Sequence, residues 1–273
     1  MSEAGFITPP CACDCHLHVF EEGFPVAPTA LSKPPLAPLS AYRVVQKALG
    51  LTRAVVVQPT AYGFDNSCTL RSVAALGPQA RGVVVIDPAT PAAELQRLHN
   101  LGVRGVRYMM LPGGALPWET LEATATAIAP FGWHIDLQLD GRSLHDHEVR
   151  LSRLPCRLVI DHTGKFLVPV APEHEGFQAL LRLQASGSCW VKLSAPYETS
   201  RSGAPGYDDV GLLARALVQG NPQRCLWASN WPHLNTTPTP DDALMLNLLL
   251  DWASNDAERR QILVDNPAEL YGF

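Results

Sequence analysis

The chain has 273 residues and a mass of 29.6 kDa, a length that suits one barrel-sized domain spanning residues 1–273 better than two large ones. Apolar residues make up 47%, charged residues 17% and aromatics 7%, a balance that can bury a sizeable core and excludes a disordered or collagen-like chain. With 21 basic against 26 acidic residues, a net charge of -5 and a pI near 6.0, no phosphate-backbone surface is expected and nucleic acid is set aside as a partner.

Residues 1–10 hold neither a basic run nor an apolar stretch of the signal type. The apolar run 243–250 is interrupted by Asn247 and ended by Asp251, so no membrane span or membrane partner is expected, and the predicted location is cytoplasmic. The seven cysteines, at 11, 13, 15, 68, 156, 189 and 225, are an odd and scattered set that fits reduced thiols rather than a disulfide framework.

Short Val/Ile-rich runs alternate with helix-like stretches along the chain. The strand candidates are 12–18, 54–58, 82–86, 105–109, 134–139, 157–162, 189–193 and 224–229. Eight βα units at this spacing predict an α/β fold of the (β/α)8 TIM-barrel type. A doubly wound open sheet is the competing fold, but no glycine-rich phosphate turn follows the first strand. Between strands, Ser40 is expected to cap a helix ended by Gly50, and Thr90-Pro91 to open one closed by Gly102. Thr239-Pro240 is expected to open a helix over 241–252, with a last short one over 256–264. The segment 24–39 carries five prolines and forms either a stiff cover over the barrel mouth or a plain spacer.

Side chains alternate faces along a strand. Strict alternation puts Asp14, His16 and His18 on the inner face of the first strand, and Cys13, Cys15, Leu17 and Val19 on the outer. The cysteines, one residue apart, do not have zinc-site spacing. The fifth strand alternates His134, Asp136, Gln138 and Asp140 with Ile135, Leu137 and Leu139, which turns a polar series inward. Buried polar groups need partners, because an unpaired one costs roughly 1–3 kcal/mol. A substrate site is one explanation; for the lower pair, His134 and Asp136, a structural network is the plainer one. The other strand ends supply Gln58, Arg107, His162, Lys192, Ser194 and Asn230, at the carboxyl face where barrel enzymes carry their chemistry. Of four lysines, at 33, 47, 165 and 192, the last two fall beside this mouth.

Three motifs in order on the first, sixth and eighth strands carry a family resemblance: Asp14-Cys15-His16-Leu17-His18, Asp161-His162-Thr163-Gly164-Lys165 and Trp227-Ala228-Ser229-Asn230-Trp231-Pro232-His233. Together they resemble the amidohydrolase superfamily (amidohydrolase-related family 2). Their order is similar to the branch of 2-pyrone-4,6-dicarboxylate lactonase and D-galactarolactone isomerase. The segments 107–115, 140–141 and 161–166, with Lys192 and 197–201, look more like the isomerase pattern.

Metal-binding members of that superfamily use the first-strand histidines, a lysine or acid on the fourth strand, histidines on the fifth and sixth, and an eighth-strand aspartate. Here the fourth strand offers Arg107, the fifth Gln138 and Asp140, and the eighth the neutral Asn230. The resemblance therefore implies neither a metal nor any other cofactor, although three imidazoles could hold zinc.

What it does imply is a small-molecule partner, a lactone of a carboxylic or sugar acid, and an enzyme that interconverts sugar-diacid lactones without metal. A hydroxyl of the substrate would attack its own lactone carbonyl, and one of His16, His18 or His162 would move the proton. Asn230 would position by donating an amide hydrogen. Arg107, Lys165, Lys192 and Arg201 would hold the carboxylate and developing charge, while Gln58, Asp140, Tyr197 and His233 would bind hydroxyls. The alternatives are a hydrolytic lactonase on the same barrel and a non-catalytic barrel that binds an acidic ligand.

Overall fold

The computed structural model describes residues 4–273. Eight parallel strands stand side by side in chain order: β1 (Cys13–Leu17), β2 (Arg53–Val57), β3 (Ala80–Val84), β4 (Val103–Met109), β5 (His134–Gln138), β6 (Arg157–Ile160), β7 (Cys189–Leu193) and β8 (Cys225–Trp227). The β8–β1 seam is joined by a parallel bridge between Leu17 and Trp231 and by the bonds His18 N–H to Trp231 O and Asn230 N–H to His16 O. Helices α1 (Leu39–Ala48), α2 (Ser67–Leu76), α3 (Ala92–Asn100), α4 (Leu121–Ile128), α5 (Leu144–Leu151), α6 (Glu175–Ala185) and α7 (Asp208–Gly220) connect successive strands. After β8 come α8 (Asp242–Asn247), α9 (Leu249–Trp252), α10 (Asp256–Arg260) and α11 (Asn266–Tyr271). This is the (β/α)8 barrel expected from the alternating pattern.

The core has two layers. Outward strand residues such as Leu17, Val56, Val84, Val106, Ile135 and Leu158 pack with the helices. A smaller inner cluster, which includes Val55, Val57, Val83, Val159, Trp190 and Leu226, fills the barrel and is plugged by Leu270 and Tyr271 of α11. Cys13 and Cys15 belong to that inner cluster, which corrects the expected alternation of β1. The register between β1 and β2 shifts between Asp14 and Leu17. An irregularity of this kind resets the parity of a strand. Cys15 and His16 therefore both turn inward, and Asp14 turns out. Its carboxylate accepts from Tyr42 Oη on α1 at 3.1 Å and from Ser229 N and Oγ at 3.0 and 2.6 Å, tying β1 to α1 and to the end of β8.

Other differences are local. Helices α1 and α3 follow Pro38 and Pro91 with no side-chain cap, so Ser40 and Thr90 do not cap them. The expected helix 241–252 is two short ones, α8 and α9, of which α8 is capped by Asp241. The last helix passes through a π-helical turn, Gln261–Asp265, into α11. There Asn266 Nδ2 donates to Pro222 O and Cys225 O, both at 2.7 Å, pinning the terminus beneath β8. In the proline-rich segment Ala37 pairs with Phe20 and Ala27 N–H bonds Ala61 O. It thus lies along the mouth, although none of residues 24–39 lines the cavity described below. All seven cysteines are free. No helix among the described residues is long and apolar enough to cross a membrane.

Candidate active site

At the carboxyl ends of the strands a cavity of about 230 Å³ opens, lined by His18, Arg107, Gln138, His162, Lys165, Glu198, Asn230 and Asn235 on its polar side. Phe20, Pro59, Met109, Leu111 and Leu234 form the apolar side. The volume suits a small metabolite rather than a large ligand. The backbone is unusual here. His162, Lys165, Asn230 and His233 have φ of 53°, 47°, 59° and 61°, a left-handed region that costs non-glycine residues energy and persists where the surrounding structure enforces it.

The three expected histidines meet. His16 and His162 ring centroids are 4.9 Å apart, and His16 Nε2 lies 3.2 Å from His18 Nε2. Below them Lys192 is fully buried, with its ammonium 2.6 Å from Asp136 Oδ2, 3.0 Å from Asp161 Oδ1 and 3.0 Å from His16 Nδ1. An ammonium only donates, and it has three hydrogens. His16 Nδ1 thus lies between the Lys192 ammonium at 3.0 Å and Asp161 Oδ1 at 3.3 Å, and its Nε2 faces His18 Nε2. His18 in turn donates Nδ1–H to Val57 O at 2.8 Å.

Charge states follow from burial and neighbours. Burial pushes the His18 imidazole down to about 3, with Arg107 adding to the effect. It also holds His16 and His162 well below the ordinary histidine value. All three are neutral at pH 7. Burial likewise lowers Lys165 to about 8. It raises Asp136 to about 7, with the Asp161 charge beside it working in the same direction. For Asp161 burial acts upward, but Lys192 and then His16 outweigh it and keep the carboxyl well below its usual range. Lys192 stays charged because Asp136 and Asp161 overcome its desolvation.

His162 differs from the other two. Its Nδ1 lies 2.9 Å from Ser194 Oγ, and Nε2 makes no hydrogen bond within the described residues. Ser194 Oγ can accept the Nδ1 hydrogen, and in that tautomer the Nε2 lone pair is free for the cavity that His162 lines. Arg107 donates Nη1–H to Gln58 O at 2.8 Å and Nη2–H to Gln138 Oε1 at 3.0 Å, and its Nε is buried without a partner. A buried orphan donor on a cavity wall is a mark of a missing ligand. Lys165 forms an ion pair with Glu198.

Several expected residues stand elsewhere. Lys192 is sealed under the floor, hydrogen-bonded to Asp136 and His16 and ion-paired with Asp161. Gln58 is fully buried, its amide donating to Gly63 O and Asp65 O and accepting from Thr69. Asp140 caps the short turn Gly141–Ser143 and pairs with Arg142. Arg201 is exposed, and its backbone N–H bonds Asp209. Tyr197 and His233 do not line the cavity; they stand behind Asn230. His134 lies below, edge-on to Tyr271 at 5.3 Å. The missing side chain of Gly105 leaves room for its imidazole, since a Cβ there would come within 2.5 Å of it.

Asn230 also differs from expectation. Its two Nδ2 hydrogens go to Tyr197 Oη at 2.9 Å and to Glu198 Oε1 at 3.2 Å, so it offers the cavity an acceptor, Oδ1, and not a donor. Gln138 lines the cavity as the inward polar series of the fifth strand implied, while Glu198 and Asn235 line it without having been singled out. Glu198 sat next to Tyr197 just past the seventh strand, and that position was the available signal.

His16, Asp161 and His162 bring ligand atoms within 4.8 Å of one another, the one such group among the described residues. These donors do not suit a divalent ion. The Lys192 ammonium stands 3.0 Å from both Asp161 Oδ1 and His16 Nδ1, and that charge, with the Arg107 guanidinium on the cavity wall, repels a dication at this spot.

The family model for amidohydrolases matches residues 13–273. D-galactarolactone isomerase of Agrobacterium fabrum is 36% identical, covering 95% of this chain and 90% of that protein. The 2-pyrone-4,6-dicarboxylate hydrolase of Comamonas testosteroni is 34% identical, with 99% and 93% covered. The apo crystal structure of Agrobacterium tumefaciens ATU3138 superposes with a TM-score of 0.93 at 36% identity over 97% of both chains.

Proposed function

The chain belongs to the amidohydrolase family, and from that premise we propose that it is an enzyme that interconverts lactones of a sugar diacid by intramolecular acyl transfer. One observation carries the choice of transfer over hydrolysis. Glu198 is the sole acid on the cavity wall among the described residues, and both its oxygens are engaged, by Lys165 and by Asn230. Asp161 lies under the floor against Lys192. No carboxylate on the cavity wall is left free to activate water, and at the free imidazole an oriented substrate hydroxyl outcompetes water for the proton acceptor. An oriented internal nucleophile can act at an effective concentration of about 10⁵ M or more.

The steps balance within the substrate and one imidazole. A hydroxyl of the open-chain portion gives its proton to His162 Nε2 while its oxygen forms a bond to the lactone carbonyl carbon. The resulting oxyanion is met by the Arg107 guanidinium, whose charge is fixed before the reaction starts. Collapse breaks the bond to the former ring oxygen, which takes the proton back from His162. No water enters or leaves. Asn230 Oδ1 accepts from a second, non-reacting hydroxyl of the substrate and so holds the chain that carries the attacking one. Lys165 holds the free carboxylate, and the apolar wall of Phe20, Met109, Leu111 and Leu234 keeps bulk water off the reacting carbon.

The 2-pyrone-4,6-dicarboxylate hydrolase among the relatives favours a second reading, lactone hydrolysis on the same cavity. Incubation with galactaro-1,5-lactone in ¹⁸O water, followed by NMR and mass spectrometry, separates the two. A rearranged lactone without label is the expected product. Labelled open-chain acid establishes hydrolysis, and tight binding without turnover overturns both.

A further inference from the structure

Behind Asn230 runs a chain of polar groups that none of the steps above uses. The Tyr197 hydroxyl, which accepts one Asn230 amide hydrogen, stands 2.9 Å from His233 Nδ1. His233 Nε2 stands 2.9 Å from Oδ1 of Asp242, on the first turn of α8. His233 and Asp242 are 3% and 7% exposed, so water does not substitute freely for either partner. Neither residue lines the cavity.

The direction of every bond in this chain is set from its far end. A carboxylate accepts and does not donate, so His233 carries a proton on Nε2. With that as the ring's one proton, Nδ1 accepts and Tyr197 donates there. The hydroxyl oxygen is left as an acceptor, which requires an N–H from the Asn230 side chain and not its oxygen. On the other side Glu198, also an acceptor, requires the same orientation. Asn230 Oδ1 makes no hydrogen bond within the described residues and is not sealed from the cavity. Flipping the amide would set Oδ1 against the Glu198 carboxylate and leave Tyr197 facing no donor.

We propose that Asp242 is a positioning residue. Acting through His233 and Tyr197, it fixes the Asn230 amide so that Oδ1 faces the cavity and takes the hydrogen of a substrate hydroxyl. The site thereby selects a lactone that carries a donor at this point over one that carries only acceptors. This rests on the reading that lactone chemistry takes place in front of Asn230, and it deepens that reading by naming the group on the substrate.

A kinetic cycle tests the chain. Asp242→Ala and Tyr197→Phe are each expected to lower kcat on the order of ten-fold or more, the scale of misplacing a reacting group. The double variant should be no slower than the slower single one, because both cut the same line of bonds. Losses that multiply overturn the proposal, since Asp242 would then act by another route. A second measurement needs neither substrate nor variant: ¹⁵N NMR of wild-type His233 at neutral pH. Protonation at Nε2 with Nδ1 as acceptor is expected, and protonation at Nδ1 overturns the chain. Wild-type protein that turns over no lactone would refute the function proposed above, while the His233 measurement still decides the relay.

Discussion

Replacing Lys192 with methionine probes the charge balance on which the site floor stands. The side chain is fully buried, and its ammonium bridges Asp136, Asp161 and His16 at 2.6, 3.0 and 3.0 Å. Methionine keeps nearly the same length and volume, so the change removes a charge and leaves no large cavity. Two carboxyls then face one another in the barrel without a counter-ion. Removing one partner of a buried ion pair costs about 3–5 kcal/mol, a large part of the roughly 5–15 kcal/mol that holds a domain folded. At about 2–4 °C per kcal/mol for a chain of this size, the melting temperature should fall by about 6–20 °C.

The pH dependence has a definite sign. Asp136 already titrates at about 7 with Lys192 present, and without the ammonium both acids are raised above their unfolded values. Groups of that kind contribute stability below the unfolded carboxyl value near 4, and the contribution is lost as pH rises through the raised folded values. The deficit of Lys192→Met against wild type should therefore be smaller at about pH 5.5 than at about pH 8. Scanning calorimetry across that range reads it directly. In the same variant kcat should fall more than KM rises, since Lys192 does not line the cavity and acts through His16, whose ring packs against His162 at 4.9 Å. An unchanged melting temperature, or a deficit that grows as pH falls, would refute the assigned charge balance.

Three further outcomes are expected. His162→Asn should lower kcat by about 10²–10⁴, the usual contribution of a general acid–base group, with the fold retained by circular dichroism; full activity would remove His162 from the mechanism. Lys165 is a cation below about 8 and neutral above it, so KM for a carboxylated lactone should rise as pH passes through that value. Lys165→Met should show a raised, pH-flat KM, and a persisting rise would point to another group. Exhaustive treatment with a chelator should leave turnover intact, because the Lys192 ammonium beside Asp161 and His16 repels a dication there; activity lost to chelation and restored by zinc would overturn that.

Much of the fold was legible because its signals are local. Val-rich runs at regular spacing, separated by helical stretches, specify strands whose order in space then follows from short right-handed connections. Placing chemistry at the strand ends also required only counting, and it brought His16, His18, His162, Arg107, Lys165 and Asn230 to one end of the barrel. What could not be counted was β1. The register shift between Asp14 and Leu17 turns Cys15 and His16 to the same side, and such a shift arises from how two strands pair, which neither strand's own residues display.

Roles within the mouth were decided by tertiary structure alone, because a polar group's function depends on which of its hydrogens and lone pairs are already taken. Lys192 and Gln58 sit at the predicted strand ends but do not line the cavity, because Lys192 is held by Asp136, Asp161 and His16 and Gln58 donates to Gly63 and Asp65. Asn230 was expected to donate, yet Tyr197 and Glu198 take both its hydrogens and leave it an acceptor. Asp242 lies twelve positions beyond Asn230 and reaches it only through side chains of two other residues. The amino-acid sequence by itself determined a barrel and the kinds of group at its mouth. Hydrogen-bond partners are contributed by residues far apart in the chain, so only the folded barrel decided which of those groups remain free to meet a substrate.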